Sequence, residues 1–235
     1  MSSRPELRLD WCSHEAAKYA VEKWHYSRTM PVGKMVRIGV WESGKFIGCV
    51  LFALGMNRSL GSPYGLQMTE CCELVRVALT EHQTPVSRIV SIALKMIRKQ
   101  SEGLRLVVSF ADPVEDHHGG IYQAGGWLYA GKTAGSFEWR IGEQRLNKRA
   151  FTGQQFGGGR RSVSQIPSTA KKVQTPGKHR YLMPLDDEMR QRIEPLRKPY
   201  PKRERSAENG TPGIQSGGGG VNPTRSLQVT GGKEE

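Results

Sequence analysis

The stretch "CELVRVALTEHQTPVSRIVSIALKMIRKQSEGLRLVVSFADP", residues 72 to 113, decides the architecture. Val86, Ile89, Val90, Ala93, Leu94 and Ile97 recur at helical spacing, and Arg88, Lys95, Arg98 and Lys99 fall mostly on the other side. This predicts an amphipathic helix, with Thr84 as its N-cap and Pro85 at its first position. Before it, "CELVRVAL" reads as a strand. After it, "LRLVVSFAD" is almost uniformly apolar, so it is expected to be a central strand covered on both faces. A strand, helix, strand unit implies a parallel pair joined by a crossover.

Working outward, Ser13 is a plausible N-cap for a helix that presents Ala16, Ala17, Ala20, Val21 and Trp24 on one face and ends near "WHYSR". "MVRIGVWESGKFIGCVLFALG" is two apolar runs joined at Glu42 to Lys45, and Ser43-Gly44 supplies the chemistry of a hairpin turn. "WLYAGKT" is a further strand and "KHRYLMPL" a late one. An antiparallel hairpin followed by strand, helix, strand, helix, strand predicts an α/β protein with a mixed sheet flanked by helices.

The chain has 235 residues, 37% of them hydrophobic, with mean hydropathy -0.54. That suits one domain with polar appendages. Its net charge of +13 points to a polyanionic partner such as nucleic acid. The excess is local: residues 141 to 206 hold 16 basic and 6 acidic residues, whereas 207 to 235 hold 2 and 3. The latter stretch, rich in Gly, Pro, Ser and Asn, is expected to be disordered. The expected organisation is a catalytic domain over 1 to 186, a basic segment over 187 to 206 and a disordered tail over 207 to 235. Cys12, Cys49, Cys71 and Cys72 have neither disulfide nor zinc spacing and suit a reducing compartment. No apolar run approaches a bilayer span and the N-terminus lacks a signal-peptide core, so a cytoplasmic protein without a membrane partner is expected.

Polar residues concentrate in three segments: "WHYSR" (24 to 28), "TEHQTPVSR" (80 to 88) and "ADPVEDHHGG" (111 to 120). Arg76 alternates with Leu74 and Ala78 and so shares an apolar face. A charge there needs an internal partner, Glu73 or Asp112, or a substrate. Asp112, leaving a buried strand, can be a general base, orient one, or cap a turn. Amides opening the central helix, with Ser87 in its first turn, could bind a phosphate or could simply be an ordinary helix start. His25, His117 and His118, with Asp112 and Tyr26, could supply a mixed His and carboxylate iron site. Trp24, Tyr26, Tyr122 and Trp127 could line a pocket for an extruded base, and core packing competes for both tryptophans. Gly119 and Gly120, poor residues for a helix start, could leave room for a base or cofactor beside Asp112 and Tyr122.

"IYQAGGW" is similar to the GNAT acetyltransferase pattern Tyr-x-x-x-Gly-aromatic, with Tyr122 as the tyrosine and Gly126-Trp127 as the terminal pair. The glycine-rich pyrophosphate loop of those enzymes is absent from "HQTPVS". Five segments together, "WHYSRTMPVGK", "CCELVRVALTE", "SRIVSIALKMIRK", "VVSFADPVEDHHGGIYQAGGWLYAGKT" and "KHRYLMP", resemble the Mom family of bacteriophage DNA-modification proteins over about residues 10 to 186. The resemblance implies a GNAT-like fold. It also implies conversion of adenine in double-stranded DNA to N6-(carbamoylmethyl)adenine in the host bacterial cytoplasm, shielding phage DNA from restriction. Carried over by position, Tyr26, Arg76, Asp112 and Tyr122 are the catalytic candidates. Arg76, Ser87 and Arg88 are the cofactor-binding candidates, and His25 is the metal candidate. An acetyl-CoA-like donor and iron are the cofactors implied. A conventional N-acetyltransferase and a noncatalytic basic DNA-binding module are the competing readings.

Overall fold

A computed structural model describes residues 5–54, 59–142, 144–146 and 167–202. One sheet holds seven strands: β1 (Leu7–Trp11), β2 (Met35–Glu42), β3 (Lys45–Leu54), β4 (Cys71–Leu79), β5 (Leu106–Ala111), β6 (Leu128–Lys132) and β10 (His179–Pro184). Their order is β1-β2-β3-β4-β5-β10-β6. Among the described strands only β4 and β5 run parallel, joined by α2 (Val86–Gln100). This is the mixed α/β sheet with a parallel segment that the sequence predicts. A second sheet, order β8-β7-β9, is formed by β7 (Ser136–Ile141), β8 (Gln144–Leu146) and β9 (Lys171–Thr175).

Alternation along the strands sorts the core into two faces. Val50 and Phe52 of β3 and Val107 of β5 join Ile89, Val90, Ala93, Leu94 and Ile97 of α2 in one cluster. Cys49 and Leu51 turn the other way, to Ala17, Ala20 and Val21 of α1 (His14–Trp24). Leu106 and Val108 meet Met189 and Ile193 of α4 (Asp187–Ile193) on a third cluster. β5 is therefore covered on both faces, as its uniform apolarity requires. Each fully buried aliphatic side chain of α2 contributes about 1.5–3 kcal/mol, an upper estimate because unfolded chains are partly compact.

Local signals explain most element ends. Ser13 accepts a hydrogen bond from the Ala16 amide at 3.1 Å and caps α1. Ser43 (φ 49) and Gly44 (φ 77) both have positive φ, the requirement of a type I′ hairpin turn. At α2 the expected cap is corrected. Pro85 is the N-cap, and the Thr84 hydroxyl instead donates to Glu42 Oε1 at 2.6 Å. The first segment, "LRLDW", forms β1, an edge strand that its brief alternation left unread. α4 caps itself with Asp186, and Met189 and Ile193 are almost fully buried, which ties residues 187–196 to the sheet. The expected disordered tail lies outside the described residues.

Candidate active site

The site begins where β4 stops pairing with β5. Their parallel ladder ends at Leu74 and Ser109. On the other side of β4, Leu51 faces Arg76 while Phe52 faces Leu74, so Val75 is the extra residue of a β-bulge. The bulge resets the side-chain alternation at Arg76. Its Nη1 donates to the Val75 carbonyl at 2.7 Å, and its buried Nε has no acceptor among the described residues. Neither Glu73 nor Asp112 is its ion-pair partner, which corrects that expectation. Burial lowers its pKa from the ordinary arginine value, with Tyr26, Glu73 and Tyr122 within electrostatic reach to oppose this. A desolvated guanidinium without a carboxylate, among described residues, is ready to receive an anion.

"WHYS" is the end of α1. His25 is its C-cap, 9% exposed, and its amide donates to the Val21 carbonyl at 3.2 Å. The Ser27 amide donates to His25 Nδ1 at 3.1 Å, so this nitrogen must carry its lone pair and the proton must sit on Nε2. Burial, then Arg76 and His117, push the imidazole pKa down to about 3. His25 is thus a neutral N–H donor. Tyr26 is 48% exposed and its ring lies 4.2 Å from that of His25 and 5.0 Å from that of His117.

Tyr122, in α3 (Gly120–Ala124), comes from the opposite side. Ser109 Oγ lies 2.7 Å from its hydroxyl and 2.8 Å from the Leu74 carbonyl. A carbonyl only accepts, so the single serine proton goes to Leu74 and Tyr122 donates to Ser109. Burial raises the phenol pKa to about 12 despite that hydrogen bond. The last residue of the bonded ladder, Ser109, thereby fixes the tyrosine over the gap. No sequence signal marked Ser109, because a small polar residue inside an apolar strand reads equally as packing.

Asp112 is 4% exposed and caps the turn Pro113–Glu115, its Oδ1 accepting from the Val114 amide at 3.1 Å. Lys178 Nζ lies 2.8 Å from Oδ2. Lys178 went unnoticed in the sequence since its partner is 66 positions away, at the neighbouring strand's end. His25, Tyr26, Arg76 and Tyr122 are thus gathered by ring contact or electrostatic proximity. Ser87 and Arg88 occupy the first turn of α2 and make no hydrogen bond or ion pair with that group among described residues. Ser87 lines a groove of about 440 Å³ with Ser91, Lys95, Arg98, Trp127 and Arg190. The loop before it is held by Glu42, whose Oε1 also accepts from the Thr84 amide at 2.8 Å and whose Oε2 accepts from the Gln83 amide at 2.9 Å. Burial opposes ionisation of Glu42, but these bonds outweigh it and lower its pKa.

Three expectations are corrected. Iron does not fit: no three His, Cys, Asp or Glu side chains gather to hold a metal among the described residues, and the one free lone pair of His25 is taken by Ser27. Gly119 is needed by the protein itself. At φ +87, a Cβ there would lie 2.2 Å from Tyr181 Cε2, whereas at Gly120 it would meet only His118 Nε2, at 3.2 Å. The four aromatic residues do not share one pocket either. Trp127 is 1% exposed within the core, and Trp24 packs on Tyr19 and Phe46.

Fold and site together define an α/β protein with a partly buried arginine and a buried histidine and tyrosine gathered where its two parallel strands part. The Mom protein family model matches residues 6–202, and the chain belongs to that family. It is 25% identical to "Methylcarbamoylase mom" of Escherichia phage Mu over 204 residues, 84% of each chain. Among solved structures it is similar to FeeM, an N-acyl amino acid synthase from uncultured soil microbes. That match has a TM-score of 0.44 and 10% identity, covering 80% of this chain and 94% of that one. It is also similar to spermidine N-acetyltransferase from Vibrio cholerae, with a TM-score of 0.42 and 12% identity, covering 76% and 95%.

Proposed function

We propose that this protein is a phage DNA-modifying transferase that converts adenine in duplex DNA to N6-(carbamoylmethyl)adenine. The modification would protect phage DNA from restriction in the host bacterial cytoplasm. The family and the methylcarbamoylase relative support the class of reaction. The observation that carries the reading is Arg76, a desolvated cation with no carboxylate partner among described residues, set at a bulge between neutral His25, half-exposed Tyr26 and buried Tyr122.

An acetyl-CoA-like donor would balance the reaction only if its two-carbon unit already carried the amide nitrogen on its carbonyl and the leaving group on its methylene, so that the N6–CH2 bond forms as the leaving group departs with its electron pair. Arg76 binds the anionic part of the donor, and the α2 start, with Ser87 and Arg88, offers amides and a cation for its phosphates. The unpaired edges of β4 and β5 beyond Leu74 and Ser109 leave backbone groups for an extended ligand chain. The adenine amino group is paired inside a duplex, so the base must leave the stack, and the Tyr26 ring is a surface on which it can lie. As the N6–carbon bond forms, Asp112 receives the surplus amino proton. Tyr122, fully protonated at neutral pH, turns its hydroxyl from Ser109, gives its proton to the leaving group and takes one back from solvent once the products depart.

The experiment is expression in bacteria, digestion of plasmid DNA to nucleosides and mass analysis of deoxyadenosine. A shifted deoxyadenosine that disappears in Arg76→Ala is the expected result. Unmodified adenine, together with transfer of labelled acetyl from acetyl-CoA to a peptide or small amine, would replace this reading with a conventional N-acetyltransferase.

A further inference from the structure

We infer that the β6–β7 and β9–β10 limbs form an arm, widened by β8 alongside β7, that docks duplex DNA, with its phosphates held by lysine side chains. This rests on the DNA reading above and names the surface that would carry it.

The two sheets are joined through one long antiparallel ribbon. β6 continues through residues 133–135 into β7, and β9 continues through 176–178 into β10. The ladder passes from His179 opposite Lys132, through the Thr133 amide donating to the Lys178 carbonyl at 2.9 Å, to Ser136 opposite Thr175. At the crossing a Cβ on Gly177 would lie 1.8 Å from the Thr133 carbonyl oxygen, so glycine is what lets the limbs approach. Among the described residues β7 pairs with β8 and β9 and with no strand of the main sheet, so past the crossing the ribbon leaves that sheet and β8 joins its β7 side. Six residues of β7 extend it by about 20 Å at ~3.4 Å per residue. Its root is Lys178, the partner of Asp112.

Composition then selects the partner. Residues 128–142 and 167–184 contain Lys132, Arg140, Lys171, Lys172, Lys178 and Arg180 against one acid, Glu138. Glu138 is buried and paired with Arg140. Lys171 and Lys172 are exposed on β9 and have no carboxylate partner among described residues. Register places Lys171 opposite Arg140 and Lys172 opposite Trp139, so cations point to both faces of the ribbon. Lys172 Nζ lies 3.9 Å over the Phe137 ring. A membrane-surface arm would present exposed aliphatic side chains beside its lysines, whereas the other exposed residues of these strands are Ser136 and Gln174. An arm whose outer strand β9 carries exposed lysines on both faces suits the phosphate backbone of a duplex, which is contacted independently of sequence. The root at Asp112 would then bring the duplex to the site where the adenine must be received.

The test uses the full chain and a fluorescent duplex, with affinity measured by anisotropy at several salt concentrations. Each lysine–phosphate contact contributes a slope of about 0.9 in log K against log salt. Lys171→Ala/Lys172→Ala should lower the slope by about two units and weaken binding at least ten-fold on any duplex sequence, with an unchanged melting temperature. Lys99→Ala, on exposed α2, should change neither. Wild-type slope and affinity in the double variant overturn the proposal, as does tighter wild-type binding to single-stranded DNA or RNA than to duplex. Failure of the functional reading is separable: a wild-type protein that binds duplex through the ribbon but leaves deoxyadenosine unshifted refutes the chemistry and leaves the arm intact.

Discussion

Gly119 and Gly120 stand side by side and should respond oppositely to alanine. At Gly119, φ is +87, and a Cβ would come within 2.2, 2.5 and 2.7 Å of Cε2, Cζ and Oη of Tyr181. The ring cannot retreat. Tyr181 is fully buried, packs 5.1 Å from Tyr122 and 5.2 Å from Tyr129, and donates to the His118 carbonyl at 2.5 Å. A left-handed backbone costs a non-glycine residue about 1–2 kcal/mol, and overpacking adds about 1–3 kcal/mol. Gly119→Ala should therefore lose about 2–5 kcal/mol. Gly120 opens α3 with ordinary φ and meets only the far end of the His118 side chain. Replacing it removes a helix penalty of up to about 1 kcal/mol, so Gly120→Ala should be neutral or stabilising.

Urea denaturation measures both, and for a chain of this size each kcal/mol also moves the melting temperature by about 2–4 °C. In a Tyr181→Leu background the Gly119→Ala loss should shrink, because the colliding ring is gone and only the backbone term remains. Equal stability of Gly119→Ala and wild type, or an undiminished loss in that background, would refute the packing explanation. A ligand-clearance role would then be the better account.

Arg76→Leu should abolish modification while holding or raising the melting temperature, since the native arginine is desolvated for one hydrogen bond to its neighbour's carbonyl; a substantial loss of stability would mean that the charge is structurally paired. His25 should impose a pH slope on stability. It stays neutral to about pH 3 when folded but has a pKa near 6.5 when unfolded, so the unfolded state binds more protons between these values. Stability should be full above 6.5 and fall with decreasing pH by at most about 1.4 kcal/mol per unit; denaturant midpoints across this range should show a flatter slope in His25→Asn, and an identical slope would remove His25 as the cause. Glu42→Ala deletes three hydrogen bonds to residues 83 and 84 and should cost about 1–3 kcal/mol and raise KM for the donor more than for DNA; a purely DNA-side effect in steady-state kinetics would separate this loop from donor binding.

The sequence reveals those elements whose periodicity is uninterrupted. α2 shows its buried face residue by residue, and β5 shows by uniform apolarity that both its faces are covered. Pairings across long separations leave no such trace. β10 enters between β5 and β6 from nearly 70 positions beyond β5, and nothing in "KHRYLMPL" says which strands will receive it. The same holds for Asp112 with Lys178 and for Glu42 with Thr84. Capping chemistry at Thr84 is legible, but a carboxylate 42 positions away competes for the hydroxyl and wins with a charge-assisted bond. Gly119 was legible as an anomaly and its cause was not, because Tyr181 is brought against it only by that insertion of β10.

Several departures from ordinary local rules lie near one end of the parallel pair, although the Nε atoms of Arg37 and Arg180 are likewise buried without an acceptor among the described residues. Val75 is an unpaired insertion in a strand, Arg76 Nε lacks an acceptor, Asp116 has φ 54 in the left-handed region, and His25 is buried and kept neutral. Each costs free energy, and none improves the packing of the cores around α1, α2 and α4. Arg105 forms ion pairs with Asp186 and Glu188, whereas Arg76, with Glu73 in electrostatic reach, forms none among the described residues. On the proposed reading Arg76 is stabilised when an anion arrives, and neutral His25 beside it adds a hydrogen-bond donor without a competing charge. Neutralising Arg76 or charging His25 would disturb ligand binding by opposite routes, the first by removing attraction and the second by crowding two cations together. On that reading the site retains its local costs because the ligand, rather than the protein, completes it.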